Sequence, residues 1–136
     1  MNTKLTKPLP TISDFNRPYW DATRNRQLKL QRCEECRMYW APAGPVCPHC
    51  FSERYEWAQM SGKGSISSWV VFHKLYIPSF EGELPYNVAF VQLEEGPRII
   101  SNIVGAENSG LRIGMPVKVT FEQLTDDVVL PKFCPA

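Results

Sequence analysis

The 136 residues amount to one domain or two very small modules. Fifteen Lys and Arg against 14 Asp and Glu leave a formal charge of +1, which gives no electrostatic footprint for bulk nucleic-acid or membrane-surface binding. A hydrophobic content of 43% with 21% charged residues excludes a disordered chain, and apolar runs of at most about four residues exclude a spanning helix, which needs ~20.

Residues 1–12 read as a flexible tail. The first ten are polar and proline-bearing, without the apolar core of a signal peptide. A cytoplasmic protein with reduced thiols is therefore expected. Its five cysteines then point to metal or redox chemistry before disulfides. A short helix follows the tail, with Asn16 as its cap, Pro18 in its first turn and Phe15, Tyr19, Trp20 and Thr23 near one face. It should stop at 25–27. Leu28 and Leu30 then alternate with Lys29 and Gln31, the period of a strand running into the first cysteine pair.

From Cys33 to Cys50 the chain is broken by Pro42, Gly44, Pro45 and Pro48, and only Met38, Tyr39 and Trp40 are strand-like. Tyr55 and Trp57 alternate with Arg54 and Glu56 in a strand leaving the second pair. Beyond Gly62 the texture is that of repeated strands. Residues 64–74 carry Ile66, Trp69, Val70, Val71 and Phe72, and residues 86–93 carry Val88, Phe90 and Val91. A turn at 94–97 leads into a hairpin partner at 98–104. Residues 105–115 form a loop with room for one helical turn. Val117, Val119 and Phe121 then alternate with polar neighbours, and residues 128–133 form the last strand. The predicted fold is mainly β: residues 1–31 are a tail and helix, 32–58 a rubredoxin-like four-cysteine zinc ribbon, and 59–136 a five-stranded OB-fold barrel, with an SH3-like barrel as its competitor.

Cys33-x2-Cys36 and Cys47-x2-Cys50 are separated by ten residues. A two-residue spacer lets both thiolates of a knuckle face one ion at a Zn–S distance of ~2.3 Å, and two knuckles complete a tetrahedron. A segment so short and rich in proline cannot bury its own core. A structural zinc supplies roughly 10–16 kcal/mol of apparent folding energy instead. Four protein ligands leave no open position for water, so the expected zinc is structural. The competing assignments are a redox dithiol, which needs an exposed low-pKa pair at a helix start, and iron, which four thiolates also suit. His49 inside the second knuckle and Cys134 near the C-terminus are poorer ligands than the four cysteines.

No catalytic constellation stands out. His73 has no nucleophile pattern beside it, Glu81 and Glu83 flank a loop glycine, and Asp126 and Asp127 are turn residues. The glycines match neither a P-loop nor a dinucleotide fingerprint. The remaining signals are apolar surface. The long loop 73–86 carries Tyr76, Ile77, Phe80 and Leu84, and the N-terminal helix carries Tyr19 and Trp20. These side chains either cap the barrel or dock another protein. Two function classes fit. One is a single-stranded nucleic-acid binder, since zinc ribbons and OB barrels both serve there. The other is an interaction subunit. Four thiolates on Zn²⁺ carry about −2, which turns the formal +1 negative and weighs against nucleic acid.

In order along the chain stand Pro18-Tyr19-Trp20, Leu28-Lys29-Leu30-Gln31-Arg32-Cys33, the two knuckles, Gly62-Lys63-Gly64, Pro85-Tyr86 and Gly114-Met115-Pro116-Val117. This succession, over about residues 13–135, resembles the small zinc-ribbon/OB-fold proteins labelled a domain of unknown function and encoded beside thiolases. The resemblance implies a non-catalytic accessory subunit that binds thiolase-like acyltransferases or aldolases, or hot-dog hydratases, acting on acyl-CoA or polyketide-type acyl substrates. It also implies that the small subunit helps to line the path of the CoA or acyl group; on the apolar-surface reading, Tyr19, Trp20, Tyr76, Ile77, Phe80 and Leu84 are then the residues expected to bind the partner. One departure is visible. Arg37 stands where the family usually has Gly after the first knuckle, so left-handed backbone strain is expected there.

Overall fold

The computed structural model describes residues 7–136, so residues 1–6 of the expected tail lie outside the described part. Residues 7–12 have no regular structure, but they are tied down: the Lys7 ammonium lies 2.8 Å from the Glu83 carboxylate and over the Phe80 ring. Helix α1 spans Arg17–Arg24 and buries Ala22 and Thr23. Asn16 holds the cap position without capping. Its side chain instead accepts from Ser13 N–H and donates to the Thr11 carbonyl, closing the turn before the helix. Phe15, expected on the buried face, is half exposed, because that turn swings it off the helix stripe. Among the described residues no helix is long and apolar enough to cross a membrane.

A three-stranded antiparallel sheet follows, in the order β2 (Tyr39–Trp40), β1 (Lys29–Cys33), β3 (Tyr55–Gln59). The rest of the chain is one five-stranded sheet curled into an OB-type barrel. It comprises β4 (Lys63–Phe72), β5 (Tyr86–Leu93), β6 (Arg98–Ser101), β7 (Pro116–Gln123) and β8 (Val129–Pro135), ordered β6-β5-β4-β7-β8. Strand β4 is long enough to serve both sides of the curl. Its first residues pair with β7, and a register shift between Ile66 and Ser68 bends it along β5. Closure comes from a parallel bridge between Ile103 and Phe133, beside β6 and β8.

The core is continuous between the two sheets. Leu28, just before β1, and Leu30 within it pack with Ile66, Val91, Leu93, Val117 and Phe133 of the barrel. Tyr19 of α1 lies against the same cluster, and burial pushes its phenol up to about 12. One buried polar residue holds the closure. Asn87 Oδ1 accepts from Ile103 N–H at 2.7 Å while its Nδ2 donates to the Ile103 carbonyl at 2.8 Å, which satisfies the two Ile103 backbone groups that face away from the bridge to Phe133. Gly64 is required at the β4–β5 crossing, since a Cβ there would sit 2.5 Å from the Gln92 carbonyl oxygen.

Candidate metal centre

Each knuckle is a turn built from the same bonds. In the first, Cys33 N–H donates to the Met38 carbonyl at 2.9 Å and Arg37 N–H to the Cys33 carbonyl at 3.1 Å. In the second, Cys47 N–H donates to Ser52 and Phe51 N–H to Cys47, both at 2.9 Å. The residue after each second cysteine turns left-handed to close the loop, with φ of 68° at Arg37 and 63° at Phe51. This is the strain expected at Arg37, and it is repeated at Phe51. Backbone N–H groups of Cys36 and His49 approach the Cys33 and Cys47 sulfurs at 3.4 Å each, the contacts that stabilise thiolate character.

The turns bring the four Sγ atoms of Cys33, Cys36, Cys47 and Cys50 within 4.8 Å of one another, with Cys33–Cys50 at 3.4 Å and Cys36–Cys47 at 3.6 Å. A tetrahedron with ~2.3 Å Zn–S bonds has edges of about 3.8 Å, so the donor set fits a four-coordinate thiolate ion. The electrostatics fit as well. The Cys36 backbone N–H, working against burial and aided by Glu35 N–H and the Cys50 thiol, lowers Cys33 to about 6. At Cys36 the Met38 N–H pulls downward, but burial and the sulfurs of Cys47, Cys50 and Cys33 push the thiol up to about 12. Four thiolates cannot crowd together without a cation, and a divalent ion resolves the conflict. The residues present therefore fit a structural zinc.

Cys33 and Cys47 are fully buried, Cys36 partly, and Cys50 faces outward. Cys33, Cys36 and Cys47 share a small second core with Trp40 and Tyr55, whose rings meet edge-on at 5.7 Å. His49 and Cys134 are not in the cluster; His49 is exposed, and Cys134 lies on β8 opposite Lys118. Sequence reading missed Gln31. This fully buried side chain bonds both backbone groups of Gly44, at 2.8 and 2.9 Å, and so pins the proline-rich segment between the knuckles. Its signal was only a polar residue in a buried-strand pattern.

The apolar surface residues separate into two kinds. Tyr76 and Ile77 project from the β4–β5 loop, with Tyr76 65% exposed. Phe80 and Leu84 are half-buried, and Phe80 stacks on Tyr86 at 5.2 Å, which in turn stacks on Phe72 at 5.1 Å. Trp20 is half-buried and meets Tyr19 edge-on at 4.9 Å.

Comparison with known proteins adds a family to this geometry. The family described as ChsH2, rubredoxin-like zinc ribbon domain, matches residues 20–56, and ChsH2, C-terminal OB-fold domain, matches residues 57–122. A probable enoyl-CoA hydratase alpha subunit from Thermomonospora curvata is 38% identical over 98% of the chain, which spans only 41% of that relative. A DUF35 domain-containing scaffold protein from Pyrococcus furiosus is 34% identical, with 79% of each chain covered. The benzoylsuccinyl-CoA thiolase subunit BbsA of Thauera aromatica is 29% identical over 91% of this chain and 85% of its own. Among solved structures, an Ltp2-ChsH2(DUF35) aldolase superposes with a TM-score of 0.83 at 37% identity, covering 93% of this chain and 98% of that one.

Proposed function

Because the chain belongs to the ChsH2 (DUF35) family of zinc-ribbon and OB-fold proteins, we propose that it is a non-catalytic subunit that docks on and stabilises a thiolase-like acyltransferase working on acyl-CoA or polyketide-type acyl groups. Cys33, Cys36, Cys47 and Cys50 hold a structural zinc, and the partner supplies the catalytic groups. The observation that carries the reading is the fate of the metal cluster. All four donors belong to this chain, so the ion has no position for substrate and serves to tie the two knuckles of the ribbon together. Relatives named as hydratase, thiolase and aldolase components support a subunit role that is common to several acyl-CoA chemistries.

Tyr76 and Ile77 are the exposed docking side chains on the loop face, and the half-buried Phe80 and Leu84 belong to the same loop; Tyr19 and Trp20 anchor the helix side. An exposed aromatic anchor such as Tyr76 carries disproportionate interface energy. The test is affinity purification of the tagged, zinc-loaded chain from the organism that encodes it, with retained proteins identified by mass spectrometry. A thiolase-superfamily protein retained by the wild type and lost with Tyr76→Glu/Ile77→Glu is the expected result. Recovery of nucleic acid released by moderate salt, or of the same partners by the variant, would refute the proposal.

A further inference from the structure

The metal centre is shielded unevenly. Cys33 and Cys47 are fully buried and Cys36 is partly so, whereas Cys50 is exposed. Its chain neighbours stand in solvent too: His49 is exposed, and Phe51 is 75% exposed. Hydrogen bonding follows the same division. The Cys33 and Cys47 sulfurs accept the N–H groups of Cys36 and His49, each at 3.4 Å, and Glu35 N–H also bears on Cys33. Among backbone donors only Ser52 N–H bears on Cys50. Each N–H on a thiolate draws off charge and lowers its nucleophilicity, so the ligand sulfur with fewer such bonds and more solvent contact reacts first with an electrophile. Two close sulfur contacts run across from one knuckle to the other, Cys33–Cys50 at 3.4 Å and Cys36–Cys47 at 3.6 Å. A disulfide needs ~2.05 Å, so the Cys33–Cys50 contact is about 1.4 Å from bonding distance.

We infer that Cys50 is a modification site for hydroperoxides and that its oxidation ends in a Cys33–Cys50 disulfide linking the two knuckles. The Cys50 thiolate sulfur attacks one peroxide oxygen. The O–O bond breaks, its electron pair leaves on hydroxide, and Cys50 becomes a sulfenic acid. The Cys33 thiolate then attacks the Cys50 sulfur; the S–S bond forms and the S–O bond breaks, releasing a second hydroxide. Two thiolates have then lost two electrons, and one hydrogen peroxide has been reduced to two hydroxides, which solvent protonates. Two of the four metal ligands are spent, so the ribbon gives up its zinc and keeps a covalent tie between the knuckles. The inference goes beyond the subunit role and does not rest on it.

The test treats the full, zinc-loaded chain with hydrogen peroxide. A chromogenic chelator should report release of about one zinc per chain, and tandem mass spectrometry of the linked peptides should place the first disulfide between Cys33 and Cys50. Cys50→His keeps a four-ligand site with three thiolates and one imidazole, and should slow zinc release at least about tenfold. Metal content and far-UV circular dichroism before treatment check that the variant folds; where it does not load zinc, the disulfide map decides alone. Cys134→Ser should release zinc at the wild-type rate, since that thiol lies outside the cluster. The inference is overturned if millimolar peroxide leaves the zinc bound, or if the first disulfide is any other than Cys33–Cys50. It is also overturned if zinc-loaded Cys50→His loses metal as fast as the wild type, or if Cys134→Ser protects the zinc.

Discussion

Replacing Arg37 with glycine should tighten the protein's hold on zinc. Arg37 closes the first knuckle at φ 68°, in the left-handed region. A side chain there costs roughly 1–2 kcal/mol relative to the right-handed region. Glycine removes that cost but adds freedom to the unfolded chain worth about 0.4–1 kcal/mol. The difference favours Arg37→Gly by about 0.5–1 kcal/mol. Little is lost with the side chain, since Arg37 is exposed and contributes only its backbone N–H to the knuckle. Ribbon folding and metal binding are one equilibrium in such modules, so the gain appears as a zinc dissociation constant about 2–5-fold lower. Competition against a chelator of known affinity reads that directly. Arg37→Ala is the control: it removes the same charge and keeps the Cβ, so it should leave affinity near that of the wild type. If alanine tightens zinc as much as glycine, the effect belongs to charge and the strain argument is wrong. Phe51→Gly, at φ 63° on the other knuckle, should move affinity in the same direction.

Two further outcomes follow from the structure. Cys36→Ser removes one corner of the thiolate tetrahedron and should reduce bound metal from one ion per chain to well under one, measured by elemental analysis of purified protein, with loss of solubility; full occupancy in the variant would place the ion elsewhere. Asn87→Leu leaves both backbone groups of Ile103 without the side chain that now serves them, a cost of about 2–4 kcal/mol. A chain of this size should lose about 10 °C in Tm by circular dichroism, and a loss of under about 3 °C would show that water replaces the amide.

The metal ligands were legible because their signal is local. A two-residue spacer, a turn and a second copy ten residues on leave one plausible geometry, and the four sulfurs lie together accordingly. Strand positions were legible for a similar reason, since alternation and proline punctuation are local properties. Which face of a strand points inward was harder to read. In β5 both faces carry apolar residues: Val88, Phe90 and Val91 were the evident strand formers, yet Asn87, Ala89, Val91 and Leu93 face the core while Phe90 looks outward. Alternation cannot choose a face when both are hydrophobic, and long-range pairing decides. In β7 the clean alternation does mark the face, but only Val117 is fully buried, because the strand runs out towards the barrel's edge.

The parts hidden from sequence are the contacts that join modules. Gln31 bonding Gly44, Asn87 bonding Ile103 and Lys7 reaching Glu83 each cross a separation in chain position that no period predicts. A cavity beside Trp40 and Arg98 arises in the same way, from helix, ribbon and barrel each giving one wall. This explains why the zinc matters beyond its own knuckles. Releasing the ion frees Cys33 at the end of β1, and β1 carries Leu30 of the shared core as well as the Gln31 clamp. Metal loss is thereby transmitted along one five-residue strand to the barrel core and to the cavity wall. The apolar cavity and the metal centre are accordingly expected to fail together when zinc is removed.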